Sequence, residues 1–244
     1  MRAVFTYHSL DDSGSAVSVP PAVFRQHVRW MAQSGVRILP LENLMTLDPD
    51  DPAPAIAITF DDGFQNFTEG AAALREARLP VTLFVVTGHV GGTNAWGGRA
   101  EPGIPTLPLL CWTDLERLAA DDVHIGAHTR THARLTGLPV AAIEAEMDEC
   151  LQDLQTHLGV RAGCFAYPYG AVDERVAAAA AARFQAAFTT RFAPLAGTDA
   201  PMQVPRFDMY YFRRPGALER WGTPGFRRHV RSVQLRRHLR EVLT

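Results

Sequence analysis

Short apolar runs rich in β-prone residues recur at Ala3 to Tyr7, Val36 to Leu39, Ile56 to Phe60, Val81 to Val86, Val123 to Ala127, Cys164 to Tyr167 and Ala186 to Thr189. Most are separated by stretches whose apolar positions fall three and four residues apart, and this alternation predicts βα units assembled into a parallel sheet or barrel. Between Leu138 and Leu158, the residues Ile143, Met147, Leu151, Leu154 and Leu158 form one helical stripe, expected to face the core. Thr113-Asp-Leu-Glu116 reads as a capping box opening another helix, and the alanine run Ala177 to Ala182 reads as helix as well.

Polar chemistry sits at the ends of several of these strands. In a barrel of this kind, functional groups gather where the strands end. Tyr7-His8, Asp61-Asp62, His128 and Tyr169-Gly170 all fall just after an expected strand. Asp-Asp-Gly is also good turn chemistry, but the buried run Ala-Ile-Ala-Ile-Thr-Phe before it would deliver two carboxylates to the barrel mouth. Neighbouring side chains at a strand end point in different directions, so one carboxylate can bind a metal while the other faces a water. His128 and His132 stand at i and i+4, a spacing at which one helical turn would bring both imidazoles to a single ion; read alone, such a pair is more often two surface or core histidines. With one carboxylate and two imidazoles, a divalent metal keeps a position open, and the spare carboxylate can act as base.

Thr59-Phe-Asp-Asp-Gly63, His128-x-x-x-His132 and Phe165-Ala-Tyr-Pro-Tyr-Gly170 resemble, in order, the first three signatures of the polysaccharide deacetylase (NodB-homology) family. The resemblance spans roughly Ala3 to Arg206. It implies an α/β fold, a distorted (β/α) barrel of about seven strands, that hydrolyses N-acetyl groups of amino sugars. It also implies Asp61 as catalytic base and Asp62, His128 and His132 as ligands of one divalent metal, usually zinc. Two positions depart from the pattern: Ala166 stands where an Arg commonly contacts the base, and the late Leu-x-His that supplies the general acid is missing. Tyr7-His8 is similar to the Tyr-His that opens the poly-N-acetylglucosamine deacetylase branch, which implies His8 as the acid, the alternative being a histidine that caps its strand. Arg206 in Val204-Pro-Arg-Phe is a candidate to orient Asp61, or a plain surface Arg, and Tyr169 a candidate to offer its backbone N–H to an oxyanion.

Composition narrows the partners. The chain has 244 residues, 47% hydrophobic and 20% charged, with a formal net charge of −2, which fits one barrel with a large core and argues against nucleic acid as a partner. All 24 basic residues are Arg, which excludes Schiff-base lysine chemistry. Cys111, Cys150 and Cys164 are too few and too far apart for a thiolate cluster and are expected to pack. The barrel is expected over residues 1–212, followed by a basic helical extension of the same domain over 213–244. From Arg213 to Arg240 this tail carries nine Arg against one acidic residue, Glu219, with Phe226, Val230, Val233 and Leu239 near helical spacing. That pattern suits either a solvated helix packed on the barrel or peripheral contact with an anionic membrane or a lipid-linked glycan. The first apolar run is far shorter than a signal-peptide core, so a cytoplasmic protein is expected, at most peripheral to the inner membrane face. The long connection Gly91 to Leu110 offers Trp96, and Met209 to Phe212 a second aromatic group, to a sugar or to the core. The expected function is metal-dependent N-deacetylation of an N-acetylated amino sugar; the alternatives are deformylation or other amide hydrolysis on a lipid-linked amino sugar, or a glycan-binding homologue without catalysis.

Overall fold

The computed structural model describes the backbone of residues 1–48 and 51–243, with side chains described as far as residue 239 in the last helix. Eight strands share one parallel sheet: β1 (Arg2–Tyr7), β2 (Arg37–Ile38), β3 (Ala55–Phe60), β4 (Val81–Val85), β5 (His124–Ala127), β6 (Cys164–Ala166), β7 (Ala186–Phe188) and β8 (Phe207–Asp208). The order is β7-β6-β5-β4-β3-β1-β8, with β2 pairing the first residues of β3. Its two ends meet. Val204 bridges Phe188 of β7 in parallel, and three residues later β8 begins to pair with β1, so one segment joins both edges of the curled sheet into a distorted barrel. Every expected strand is present; β8 is an addition.

The connections as far as β7 are helical, as is usual between parallel strands: α1 (Pro21–Gln33), α2 (Leu41–Met45), α3 (Phe67–Glu76), α4 (Trp112–Ala120), α5 (Val140–Leu158) and α6 (Glu174–Ala181), with α7 (Pro224–Leu243) at the end. In α5, Ile143, Met147 and Leu154 are fully buried as expected, while Leu151 and Leu158 are only partly covered and Cys150 completes the buried face. The capping box of α4 lies earlier than Thr113 to Glu116. The helix begins at Trp112, so Cys111 is its N-cap and Asp114 accepts from the Cys111 N–H at 3.3 Å. Cys111 is therefore exposed, and only Cys150 and Cys164 pack. Among the described residues, no helix is long and apolar enough to cross a membrane.

Strand side chains alternate between two cores. Phe5, Tyr7, Ile56, Ile58, Phe60, Leu83 and Phe165 face the helical layer, whereas Val4, Ala55, Ala57, Phe84, Cys164, Ala166, Phe188 and Val204 fill the barrel interior. The interior is narrow enough that a Cβ on Gly126 would lie 2.5 Å from the Phe84 ring. Continuing the interior parity one step past β1, β3 and β5 reaches His8, Asp61 and His128, and continuing it from Val204 reaches Arg206, just before β8, and Asp208, its last residue. The barrel thus hands its inward positions to the mouth as polar groups.

Candidate active site

Asp61 is 2% exposed, and its carboxylate is held by Arg206 through two parallel hydrogen bonds, Nη1 to Oδ1 at 2.8 Å and Nη2 to Oδ2 at 2.7 Å. The guanidinium is itself buried, and its Nε donates to the Thr189 carbonyl at 3.2 Å. Arg206 thus lies inside the barrel bonded to Asp61 and is not a surface Arg. Burial works to raise the Asp61 carboxyl, but Arg206, with His128 and His8 behind it, outweighs burial and holds it below the usual carboxylate range. His8 follows β1 and is partly exposed, with Nε2 3.8 Å from Asp61 Oδ2.

Asp62 turns away from its neighbour because its φ is +73°, a left-handed conformation uncommon for a side-chain-bearing residue. Its Oδ1 lies 3.3 Å from Nε2 of both His128 and His132. The two histidines do not share a helical turn. His128 directly follows β5, and residues 129–134 run irregularly, with positive φ at Thr129 (64°) and His132 (60°) and the His132 N–H donating to Thr129 Oγ1 at 3.0 Å. Tyr169, at 60°, is a third strained residue beside Asp62 here. Such backbone persists where surrounding structure over-determines it, as at functional sites.

A metal fits this donor set. His128 donates Nδ1–H to the Ala166 carbonyl at 2.7 Å, which leaves Nε2 as a lone pair facing Asp62. Asp62 Oδ1 is buried and has no hydrogen-bond donor, and the ligand atoms of Asp62, His128 and His132 all lie within 4.8 Å of one another. Acceptors facing acceptors repel unless a cation stands between them. Two ligand atoms bound tetrahedrally at about 2.0 to 2.1 Å stand roughly 3.3 Å apart, the separation found here. Ala166 thus contributes its carbonyl to His128, while the Arg expected beside the base arrives from position 206.

These groups floor a cleft of about 430 Å³ that is also lined by Trp96, Glu101, Arg134, Tyr169, Asp208, Tyr210 and Tyr211. Trp96 stacks on His132 at 4.3 Å, and Tyr169 meets the same ring edge-on at 4.7 Å, so the Tyr169 ring covers a ligand and is not in the core. Of the second aromatic group, Met209 and Phe212 are buried, and Tyr210 and Tyr211 face the cleft. Asp208 was missed in the sequence, although its parity with Arg206 would have found it. Burial pushes its carboxyl up, with His8 the strongest opposing influence.

The polysaccharide deacetylase family profile matches residues 48–187. YxkH of Bacillus subtilis, which carries a provisional polysaccharide deacetylase assignment, is 24% identical over 181 residues, covering 72% of this chain; the chain spans 60% of that relative's length. Among solved structures, IcaB from Ammonifex degensii superposes with a TM-score of 0.72 at 24% identity, covering 85% of this chain and 91% of that one. The Streptococcus pyogenes deacetylase PplD, solved with acetate, gives 0.72 at 18% identity and covers 84% and 91%. With more than half its length matched by the family profile, the chain belongs to the polysaccharide deacetylase family.

Proposed function

We propose that the protein removes the acetyl group from an N-acetylated amino sugar in a metal-dependent hydrolysis. The observation that carries this reading is the pair of adjacent carboxylates with divided roles: Asp61 locked by Arg206, Asp62 turned toward two imidazoles. When bound by Asp62, His128 and His132, a divalent ion, zinc by its nitrogen and oxygen donors, supplies Lewis-acid polarisation. Asp61 takes the proton of the attacking water, and Arg206 keeps it ionised and fixed in direction. The Tyr169 N–H donates to the oxygen that gains charge as the carbonyl is attacked. His8, close to Asp61, protonates the departing amine, without which the C–N bond would expel a poor leaving group. Trp96, Tyr169, Tyr210 and Tyr211 offer ring faces to the sugar. The Arg206 contact counts against the non-catalytic alternative, since it supplies what Ala166 lacks.

The test pairs acetate release from N-acetylglucosamine oligomers with metal analysis. His128→Ala should lose both metal and activity; Asp61→Asn should keep the metal and lose about 10²- to 10⁴-fold in turnover. Metal content unchanged by His128→Ala, or wild-type turnover by Asp61→Asn, would overturn the assignment. We further propose that a lipid-linked form of the substrate is reached at an anionic membrane through the outer face of α7.

A further inference from the structure

The catalytic cleft adjoins a second hollow of about 480 Å³, and Thr190 and Arg237 line both. One wall is the connection after β7; the other is α7. The two spaces differ in their carboxylates. Asp61, Asp62, Glu101 and Asp208 line the reacting end together with Arg134 and Arg237, whereas no carboxylate lines the hollow among the described residues, and Arg191, Arg237 and His238 do.

These cations are not equivalent. Arg191 is committed, with Nη2 2.5 Å from Asp199 Oδ1. Arg237 donates from Nη2 to the Thr190 carbonyl at 2.8 Å and pairs with no carboxylate among the described residues. A guanidinium carries five N–H donors, so beyond the Thr190 bond, the Tyr211 ring 5.8 Å away and the influence it exerts on Asp208, most of the hydrogen-bonding capacity of Arg237 stays available at the junction. The wall is also held in fixed relation to the reaction centre. Gly170, at φ +67°, packs so closely that a Cβ there would lie 2.2 Å from Thr190 Oγ1, and it follows directly on Tyr169.

We propose that this hollow is a subsite for an acidic substituent of the substrate, a phosphoryl or carboxylate group on the sugar or its neighbour, with Arg237 setting the preference. The inference rests on the N-deacetylase reading for what reacts, and on the hollow alone for what binds. A phosphoryl group would come from a sugar phosphate such as a lipid-linked precursor; a carboxylate would come from an acidic polysaccharide.

Three probes separate these cases: the methyl glycoside of N-acetylglucosamine, N-acetylglucosamine 1-phosphate, and a glucuronate-containing N-acetylglucosamine disaccharide. Each is titrated calorimetrically and assayed for acetate release with the wild type, Arg237→Gln and Arg237→Lys. At least one anionic probe should be preferred over the neutral one by roughly 10- to 100-fold, the range for hydrogen bonds to a charged group. Arg237→Gln should erase that preference and Arg237→Lys restore part of it; which anion is preferred names the source. Equal affinity of the wild type for neutral and anionic probes overturns the proposal, as does an equal loss on all three in Arg237→Gln, the signature of a merely structural bond to Thr190. An Arg237-dependent preference without acetate release keeps the subsite and sinks the deacetylase reading. Release from the neutral sugar with no anion preference does the reverse, and no binding of any probe overturns both.

Discussion

Arg206 and Asp61 form a buried ion pair. Desolvating two charges offsets most of their attraction, but removing one partner strands the other in the interior and costs about 3 to 5 kcal/mol. Arg206→Met should therefore lower unfolding free energy by about that amount in denaturant titrations. It should also move the acid limb of kcat/KM to higher pH. The sign follows from the causes: burial raises the Asp61 carboxyl and Arg206 lowers it, so without Arg206 the carboxyl titrates higher and the ionised base is lost sooner on acidification. An acid limb that stays in place would remove Asp61 as the titrating base. His8 is testable separately. His8→Ala should lower turnover by about 10²- to 10⁴-fold and keep the metal, because His8 approaches Asp61 and is not among the three converging ligands. Wild-type turnover in His8→Ala would return the acid role to another group.

At the scale of elements, α1 is fastened to β1 by a buried polar chain. His27 donates Nε2–H to the Phe212 carbonyl at 3.2 Å, which leaves Nδ1 to accept from the Tyr7 hydroxyl at 3.0 Å. Burial depresses the His27 imidazole to about 4. In the unfolded chain it titrates near 6.5, so on acidification the unfolded state takes up the proton first. Its contribution is intact above about pH 6.5 and is lost progressively as pH falls toward 4, by about 3 kcal/mol at most. Urea unfolding from pH 7 to pH 4 should thus show a shallower decline in His27→Gln than in the wild type; parallel curves would mean that His27 is protonated in place. Elements of this kind were legible to different degrees in the sequence. β1 and β3 to β7 announce themselves as apolar runs because both their faces are buried. β8 does not, since Phe207–Asp208 is two residues long and exists only through pairing with β1, distant in the chain. The irregular His128 to His132 segment was hidden for a related reason. Spacing of i and i+4 mimics a helical turn, and the positive φ angles at Thr129 and His132 are imposed by tertiary packing that no local pattern records.

For the molecule as a whole, α7 has one face packed on the barrel and one turned outward. Phe226, Val230 and Val233 are buried against the barrel, whereas Leu239, expected on the same stripe, is 51% exposed, and the side chain of Arg240 lies outside the described residues. Arg227, Arg231, Leu235 and Leu239 follow one another at four-residue spacing, all exposed, with Arg228 exposed beside them. None of these arginines pairs with a carboxylate among the described residues. Leucines set among unpaired arginines suit a surface where acyl chains meet anionic headgroups. Deleting α7 would be a poor test, because Arg237 and Gln234 of the same helix wall the hollow beside the cleft. Arg227→Gln, Arg228→Gln and Arg231→Gln combined alter only the outer face. At ~1 kcal/mol per surface Arg, the triple variant should bind phosphatidylglycerol-containing vesicles roughly 10²-fold more weakly at low salt. Wild-type binding should itself decline steeply as the screening length contracts below ~10 Å above 0.1 M salt. Acetate release from a soluble acetamido sugar should persist in the variant, while turnover of a vesicle-borne amide falls with binding. Vesicle binding indifferent to salt, or none in the wild type, would make this face a solvated one and leave a soluble glycan as the substrate.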